Sequence, residues 1–98
     1  MKNCLKRRII EAVFVFRHDE VSARFLAHRV NNGINDHPEL KGYARITIHE
    51  VSAVLKFLAA KQVIYRTRLR GSHHKPTLYR LHDHWQTVDA ICDYMHIT

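Results

Sequence analysis

The sequence predicts one small α+β domain that is mostly helical and carries a single β-hairpin. Three observations support this fold class. The chain has only 98 residues, apolar residues recur at helical spacing in four segments, and a spacing of two replaces that pattern between residues 63 and 81. Hydrophobic residues make up 46% of the sequence, which is enough for a packed core. We therefore treat residues 1–98 as a single domain.

Two helices are predicted in the first third of the chain. Residues 5–17 have apolar residues at helical spacing, although the central AVFVF would also suit a strand. Residues 22–31 begin at Ser22, whose hydroxyl can accept from an amide of the first turn. They have an apolar face of Phe25, Leu26 and Val30, and they end at Asn31-Asn32-Gly33, residue types that close helices. Residues 34–45 lack clear periodicity and contain a Pro and a Gly, so we expect a loop with room for one helical turn around Pro38-Glu39-Leu40.

A third helix is predicted over residues 47–60. Its start, TIHE, matches the capping box, in which Thr47 and Glu50 satisfy each other's backbone amides. One apolar stripe follows at helical spacing, made of Ile48, Val51, Val54, Leu55 and Leu58. The opposite face holds only small or polar side chains, namely His49, Ala53, Lys56 and Ala60, with Ser52 at its border.

Residues 63–81 predict a basic β-hairpin. Arg66, Arg68 and Arg70 alternate with other residues, so an extended strand would place all three on one face. The segment GSHHK forms the tip, and TLYRL returns as the second strand. Three positive charges on one strand face repel one another, which favours an anionic ligand. The alternative is a solvated face that protects an edge strand from aggregation.

The tail, residues 83–96, again has helical spacing, with Asp83 as its expected N-cap. Its apolar stripe comprises Trp85, Val88, Ile91, Cys92 and Met95. Two arrangements remain open for this stripe: it packs on the first helix of the same chain, or it pairs with a second copy in a homodimer.

The charge distribution is uneven. The chain carries 16 Lys and Arg against 9 Asp and Glu, a net charge of +7. Residues 1–81 hold all 16 basic and 6 acidic residues, or +10, and residues 82–98 hold three acidic residues, or −3. A basic body of this kind suggests a polyanionic partner.

Several other classes of protein find little support. No apolar run approaches the roughly 20 residues that span a bilayer, and the start lacks a signal-peptide pattern, so we expect a cytoplasmic protein without a membrane partner. Cys4 and Cys92 lie outside any CxxC pair, and we expect no disulfide in a reducing compartment. The histidines lack zinc-site spacing, and no catalytic motif occurs, so no metal, cofactor or enzymatic activity is expected.

The order of helix, capped helix, capped helix and basic hairpin resembles the winged helix-turn-helix domain of prokaryotic regulators, over residues 5–81. VSARFLAHRV looks like that family's second helix, and ITIHEVSAVLKFLAAKQVIYR looks like its recognition helix running into the first wing strand. Residues 19–21 stand where the family has a short first strand. The long segment 32–46 departs from the family, which usually joins the second and third helices by a short turn.

This resemblance implies sequence-specific binding of double-stranded DNA by a small bacterial, phage or plasmid transcription regulator that dimerises and associates with the nucleoid. Helix 47–60 would enter the major groove, and the wing, residues 63–81, would follow the backbone or minor groove. The residues implied in DNA binding are Thr47, His49, Ser52, Ala53 and Lys56 on the third helix, Arg66, Arg68, Arg70, His73, His74 and Lys75 on the wing, and Arg24 and Arg29 on the second helix.

Two alternatives belong to other functional classes. A winged-helix module could bind another protein, such as polymerase or a second regulator, through the apolar first helix and the Trp85 stripe. An RNA-binding module could use the basic hairpin. A preference for structured RNA over duplex DNA would distinguish the second alternative, since a fold alone does not decide function.

Overall fold

Four helices and one antiparallel hairpin make up the part of the chain that the computed structural model describes, residues 3–34, 45–68 and 76–97. The elements in chain order are α1 (Asn3–Val15), α2 (Ala23–Ile34), α3 (Ile48–Ala60), β1 (Ile64–Arg68), β2 (Leu78–Leu81) and α4 (Val88–Met95). The expected α+β class with a mostly helical composition is therefore confirmed. The predicted loop between the second and third helices lies largely outside the described residues, as does the tip of the hairpin.

The first two helices form where the apolar spacing predicts them. The competing strand through AVFVF is wrong, because these residues lie in α1 and the turn that follows it. The predicted N-cap of α2 is confirmed, since the amide of Phe25 donates to the Ser22 hydroxyl at 3.1 Å. Phe25 itself departs from its predicted place on the apolar face. It is 40% exposed and meets the ring of Phe16 edge-on, with 4.9 Å between ring centroids.

The predicted end of the second helix at Asn31 is wrong, because α2 continues to Ile34. Asn31 is buried, and its side-chain amide bonds both backbone groups of Ile46. Its Nδ2 donates to the Ile46 carbonyl at 2.9 Å, and its Oδ1 accepts from the Ile46 amide at 2.8 Å. Asn31 therefore ties α2 to the segment that leads into α3, instead of ending the helix.

α3 begins at the predicted capping box. The Thr47 hydroxyl accepts from the Glu50 amide at 3.1 Å, and the Glu50 carboxylate accepts from the Thr47 amide at 2.9 Å. Val51, Val54, Leu55 and Leu58 are buried as expected. The expectation that Ile48 is buried with them is wrong, since it is 42% exposed. It is the first residue of α3 and stands at the end of the stripe.

The hairpin pairs β1 with β2, and β2 also pairs at one point with the chain before α2. Val21 and Tyr79 exchange two backbone hydrogen bonds of 2.8 Å, so a single β-bridge occupies the place expected for a short first strand. The amide of Val63 donates to the Leu58 carbonyl at 2.9 Å, which joins the start of the hairpin to the end of α3. These bonds hold the paired part of the hairpin against the helices.

The last helix starts later than predicted. Asp83 is exposed and lies in a turn, and the N-cap is Thr87, whose hydroxyl accepts from the Ala90 amide at 3.0 Å. The stripe of α4 packs within the chain, against α1. Ile91 and Cys92 are buried there, and Cys92 is a free thiol whose pKa is raised by its burial. The intrachain arrangement of the stripe is therefore the one observed.

Every element contributes to one hydrophobic core among the described residues. Ile9 of α1, Leu26 of α2, Leu55 of α3, Ile64 of β1 and Ile91 of α4 are all at most 1% exposed. None of the helices within the described segments is long and apolar enough to cross a membrane.

Candidate functional site

A cleft of about 540 Å³ opens between the start of α2, the outer face of α3 and the approach to β2. The residues that line it include Arg24 from α2, Ile48, His49, Ser52 and Lys56 from α3, and Thr77 and Tyr79 from the hairpin. Hereafter this is the α2–α3 cleft. It brings together four residues that the sequence predicted for DNA binding, namely Arg24, His49, Ser52 and Lys56.

The outer face of α3 agrees with the helical-wheel expectation. His49, Ala53 and Lys56 are exposed, and Ser52 is half-buried at the border of the buried stripe. Because Ser52 and Ala53 have short side chains, a partner can approach the helix backbone closely there. Thr47 is exposed at the helix start, and its hydroxyl oxygen is already used in the capping box. The hydroxyl proton is free to be donated to a ligand.

The capping box fixes where α3 begins and thus where its outer face meets the α2–α3 cleft. Thr47→Ala is expected to lower the free energy of unfolding by about 1 kcal/mol, because the Glu50 amide loses its acceptor. Urea denaturation followed by circular dichroism would measure the change. Lys56→Ala, an exposed change on the same helix, is the matched control and is expected to stay within about 0.5 kcal/mol of the wild type. An equal effect of both changes would contradict the role of the cap.

The same cap predicts a pH dependence. Hydrogen bonds from the backbone and then the side chain of Thr47 hold the pKa of Glu50 below its ordinary value. A carboxylate with a lowered folded-state pKa stabilises the fold above its unfolded pKa, and this contribution disappears as the pH falls through the folded pKa. The stability advantage of the wild type over Glu50→Gln should therefore be present at pH 7 and vanish between roughly pH 5 and pH 3. Urea midpoints measured across this range would test it, and a constant difference would contradict it.

The two described arginines of the first wing strand do not share one face, so that prediction is wrong. The pairing register shifts between them: Arg66 stands opposite Tyr79, and Arg68 stands opposite Leu78. Consecutive residues of β2 point to opposite faces, and directly paired residues share a face, so Arg66 and Arg68 point to different faces. The cause is one extra residue in β1, a bulge at Thr67, which interrupts the alternation. Both arginines are exposed.

The remaining predicted residues fall into two groups. Arg70, His73, His74 and Lys75 lie outside the described residues. Arg29 is on α2 but does not line the α2–α3 cleft. Its guanidinium carbon lies 5.3 Å from the ring centroid of Phe16, in a groove between α1 and α2 that Arg8 and Glu11 also line. The structure therefore separates Arg29 from Arg24.

The ion pairs found among the described residues all involve arginines of α1. Arg7 pairs with Glu11 and with Asp89, and Arg8 pairs with Glu11, so these pairs lie on α1 and α4. Among residues 3–34, 45–68 and 76–97, Arg24, Lys56, Arg66 and Arg68 form no ion pair. Within the described residues, these four cations on α2, α3 and the hairpin are therefore candidates for contact with an external anion.

Sequence reasoning missed Ile48, Thr77 and Tyr79 as residues of this cleft. Ile48 follows the helical spacing of a core residue, and only its position in the first turn indicates exposure. Thr77 and Tyr79 belong to the returning strand, and the Val21 bridge brings that strand to the start of α2. No sequence pattern carries that long-range pairing.

The described histidines include one close group. The rings of His82 and His84 have centroids 5.8 Å apart, and they stack between Tyr65 and Trp85. Within the segments that the structure describes, no group of three or more His, Cys, Asp or Glu side chains is placed to hold a metal ion.

Comparison with known proteins identifies no relative of this chain. No family model matches the chain, and neither a curated protein nor a solved structure matches it. Function must therefore be inferred from the residues and their placement.

Proposed function

We propose that this chain is a winged helix-turn-helix protein that binds double-stranded DNA sequence-specifically, as a small cytoplasmic transcription regulator associated with the nucleoid. The observation that carries the proposal is the α2–α3 cleft, where Arg24, His49 and Lys56 lie beside the small outer face of a capped helix without a described acidic partner. Such a face fits the major groove, which admits one helix.

The order of elements supports the same proposal. α2 packs on α3, α3 leads directly into β1, and the hairpin pairs at Val21 with the chain before α2. In the proposed complex, α3 lies in the major groove with His49, Ser52 and Lys56 toward base edges, and Ala53 and Ile48 offer apolar contact to thymine methyl groups. Thr47 and Arg24 are assigned to phosphate oxygens.

The wing is assigned to the DNA backbone or minor groove. Arg66 and Arg68 are exposed cations on the strand that continues from α3. Contacts between such cations and phosphate groups raise the affinity and position the protein on the duplex. They do not by themselves distinguish one base sequence from another. Because the two arginines point to different faces, one of them is assigned to the duplex that α3 contacts and the other to solvent or a neighbouring phosphate.

The regulator is proposed to act as a homodimer, since paired half-sites require two copies. The stripe of α4 is used within the chain, so the contact between copies falls on other surfaces. Phe57 of α3 and Tyr94 of α4 are exposed apolar residues at 43% and 52%, and the Tyr94 hydroxyl donates to the Lys61 carbonyl at 2.9 Å. These two exposed rings favour a protein contact near the end of α3.

Fluorescence anisotropy with a mixed-sequence DNA duplex, titrated across salt with a matched RNA duplex alongside, tests the proposed function. Phosphate contacts from Arg24 and from one or both wing arginines predict that the logarithm of the affinity falls against the logarithm of the salt concentration with a slope of about −2 to −3. Absence of duplex binding at low salt would overturn the proposal. Tighter binding to RNA would replace it with the RNA-binding alternative.

A further inference from the structure

A second cleft, of about 480 Å³, lies between the end of α1, the end of β2 and the segment that precedes α4. Its lining includes Phe14, Arg17, Arg80, His82, Asp83 and Trp85. It shares no residue with the α2–α3 cleft, although Arg80 directly follows Tyr79 on β2. Hereafter this is the Arg80 cleft. The proposed DNA contacts make no use of it.

The charges around the Arg80 cleft are mainly positive. Arg17 and Arg80 bring two guanidinium groups, and Asp83 brings one exposed carboxylate. In the described part of the chain, neither guanidinium forms an ion pair. Two imidazoles, His18 and His82, add donors or acceptors. A cleft with this balance attracts anions.

The walls of the cleft are held in place before any ligand arrives. Arg17 donates to the Phe14 carbonyl at 3.0 Å, and its guanidinium carbon lies 4.6 Å from the centroid of the Phe14 ring. His82 packs on Tyr65, with 4.7 Å between ring centroids. Trp85 packs on Tyr94 at 5.3 Å. Fixed cationic and aromatic walls reduce the side-chain entropy that the protein would lose on binding a ligand.

Two hydrogen-bond donors of the same cleft lack an acceptor. Arg80 Nε and Trp85 Nε1 are both buried, and neither has a partner within the described residues. A buried donor without an acceptor is unfavourable, and most such groups in proteins are satisfied. Both residues line the cleft, but these two atoms are covered by protein, so a ligand in the cleft would bond the other guanidinium nitrogens of Arg80. Guanidinium groups pair with the oxygens of carboxylates and phosphates.

We propose that the Arg80 cleft binds a small aromatic anion, with its carboxylate or phosphate oxygens on Arg80 and Arg17 and its ring against Phe14 and Trp85. The volume lies in the range of small-molecule sites, about 300–1,000 Å³. Guanidinium groups match the oxygens of carboxylates and phosphates, and aromatic walls match a flat ring. The site is independent of DNA binding by α3, so the two proposals can fail separately.

Intrinsic fluorescence reports this cleft directly, because Trp85 is the single tryptophan of the chain. The full chain is titrated with benzoate in one arm and phenyl phosphate in another, at constant ionic strength. Benzyl alcohol, which has the ring without the charge, is the control. Saturable quenching by one or both anions and none by the alcohol is expected, and the tighter anion identifies the oxygen chemistry. If the quenching rose linearly with concentration for benzoate, phenyl phosphate and benzyl alcohol alike, the proposal would be overturned.

Variants distinguish the cleft from other cationic surfaces. Arg80→Gln is expected to weaken anion binding roughly tenfold or more, because a charge-assisted hydrogen bond is lost. Arg17→Gln is a second variant with the same expected direction, in case Arg80→Gln fails to fold by circular dichroism. Arg24→Gln, in the α2–α3 cleft, is the matched control and should bind the anion as the wild type does. Equal affinity in all variants would overturn the proposal. It would also be overturned if duplex DNA displaced the anion and Arg80→Gln lost duplex binding to the same extent, since the cleft would then belong to the nucleic-acid interface.

Discussion

The double variant Arg66→Ala with Arg68→Ala should bind duplex DNA roughly 10–30-fold more weakly at physiological salt than the wild type. Both side chains are exposed on β1, the strand that follows α3, and neither has a described ion-pair partner. Each lost phosphate contact reduces the magnitude of the salt slope by about 0.9. The slope of the double variant should therefore be smaller in magnitude by about 1 to 2. Anisotropy titrations at several salt concentrations measure the affinity and the slope together.

Arg7→Ala is the matched control for this prediction. It removes one positive charge, against two in the wing variant, from α1, where Arg7 already pairs with Glu11 and Asp89. The Arg7→Ala variant should show the same dependence of DNA affinity on salt concentration as the wild type. If it weakened binding as much as the wing variant, the effect would come from net charge and not from a defined interface, and the assignment of the wing to the backbone would fail.

The single variants separate the two faces of the hairpin. The register shift at Thr67 directs Arg66 and Arg68 to different faces, so they are not expected to contribute equally. One single variant should account for most of the loss and the other for little. Equal losses would mean that both faces contact the duplex, as they would if the wing were inserted into a groove.

Asn31→Ala should lower the free energy of unfolding by about 2–4 kcal/mol, the largest stability effect of a polar substitution that we expect in this chain. Asn31 is 8% exposed, and its side chain satisfies both the amide and the carbonyl of Ile46. The variant leaves two backbone groups beside the core without a partner, each at a cost of about 1–3 kcal/mol. For a domain of this size the melting temperature should fall by roughly 10–20 °C.

Asn32→Ala is the matched control, because the neighbouring asparagine is exposed and its amide nitrogen, among the described residues, bonds the ring nitrogen of His28 at 3.1 Å. It should change the stability by less than about 0.5 kcal/mol. Thermal unfolding of the two variants, followed by circular dichroism, compares adjacent positions on one helix. Similar melting temperatures for both would show that the bond to Ile46 does not stabilise the fold.

Asn31 also matters for the α2–α3 cleft. Ile46 precedes the capping box of α3 by one residue, so the two hydrogen bonds fix the entry into α3 relative to α2. Arg24 lies on α2, and His49 and Lys56 lie on α3, so their spacing depends on that junction. A stably folded Asn31 variant, examined at a temperature well below its midpoint, is expected to bind DNA more weakly than the Asn32 control.

Local signals in the sequence determined most of the elements. The Ser22 cap, the capping box of Thr47 and Glu50, and the repeated apolar spacing depend on residues within one or two helical turns. Each of them therefore forms without contacts to distant parts of the chain. The basic character of the hairpin, and the small outer face of α3, are likewise properties of short segments. These features account for the element types and for four of the residues in the α2–α3 cleft.

Tertiary structure decided the features that depend on distant partners. Asn31 is a residue type that often ends a helix. Here its buried side-chain amide bonds the backbone of Ile46, and the helix continues to Ile34. A bulge in β1 separates Arg66 from Arg68, and bulges depend on how two strands pair. The stripe of α4 is covered by α1, and Arg80 and Trp85 meet in a cleft although they come from separate elements. Sequence patterns specify contacts within a few residues, whereas register, burial and clefts arise only when distant segments compete for the same space and the same hydrogen-bond partners.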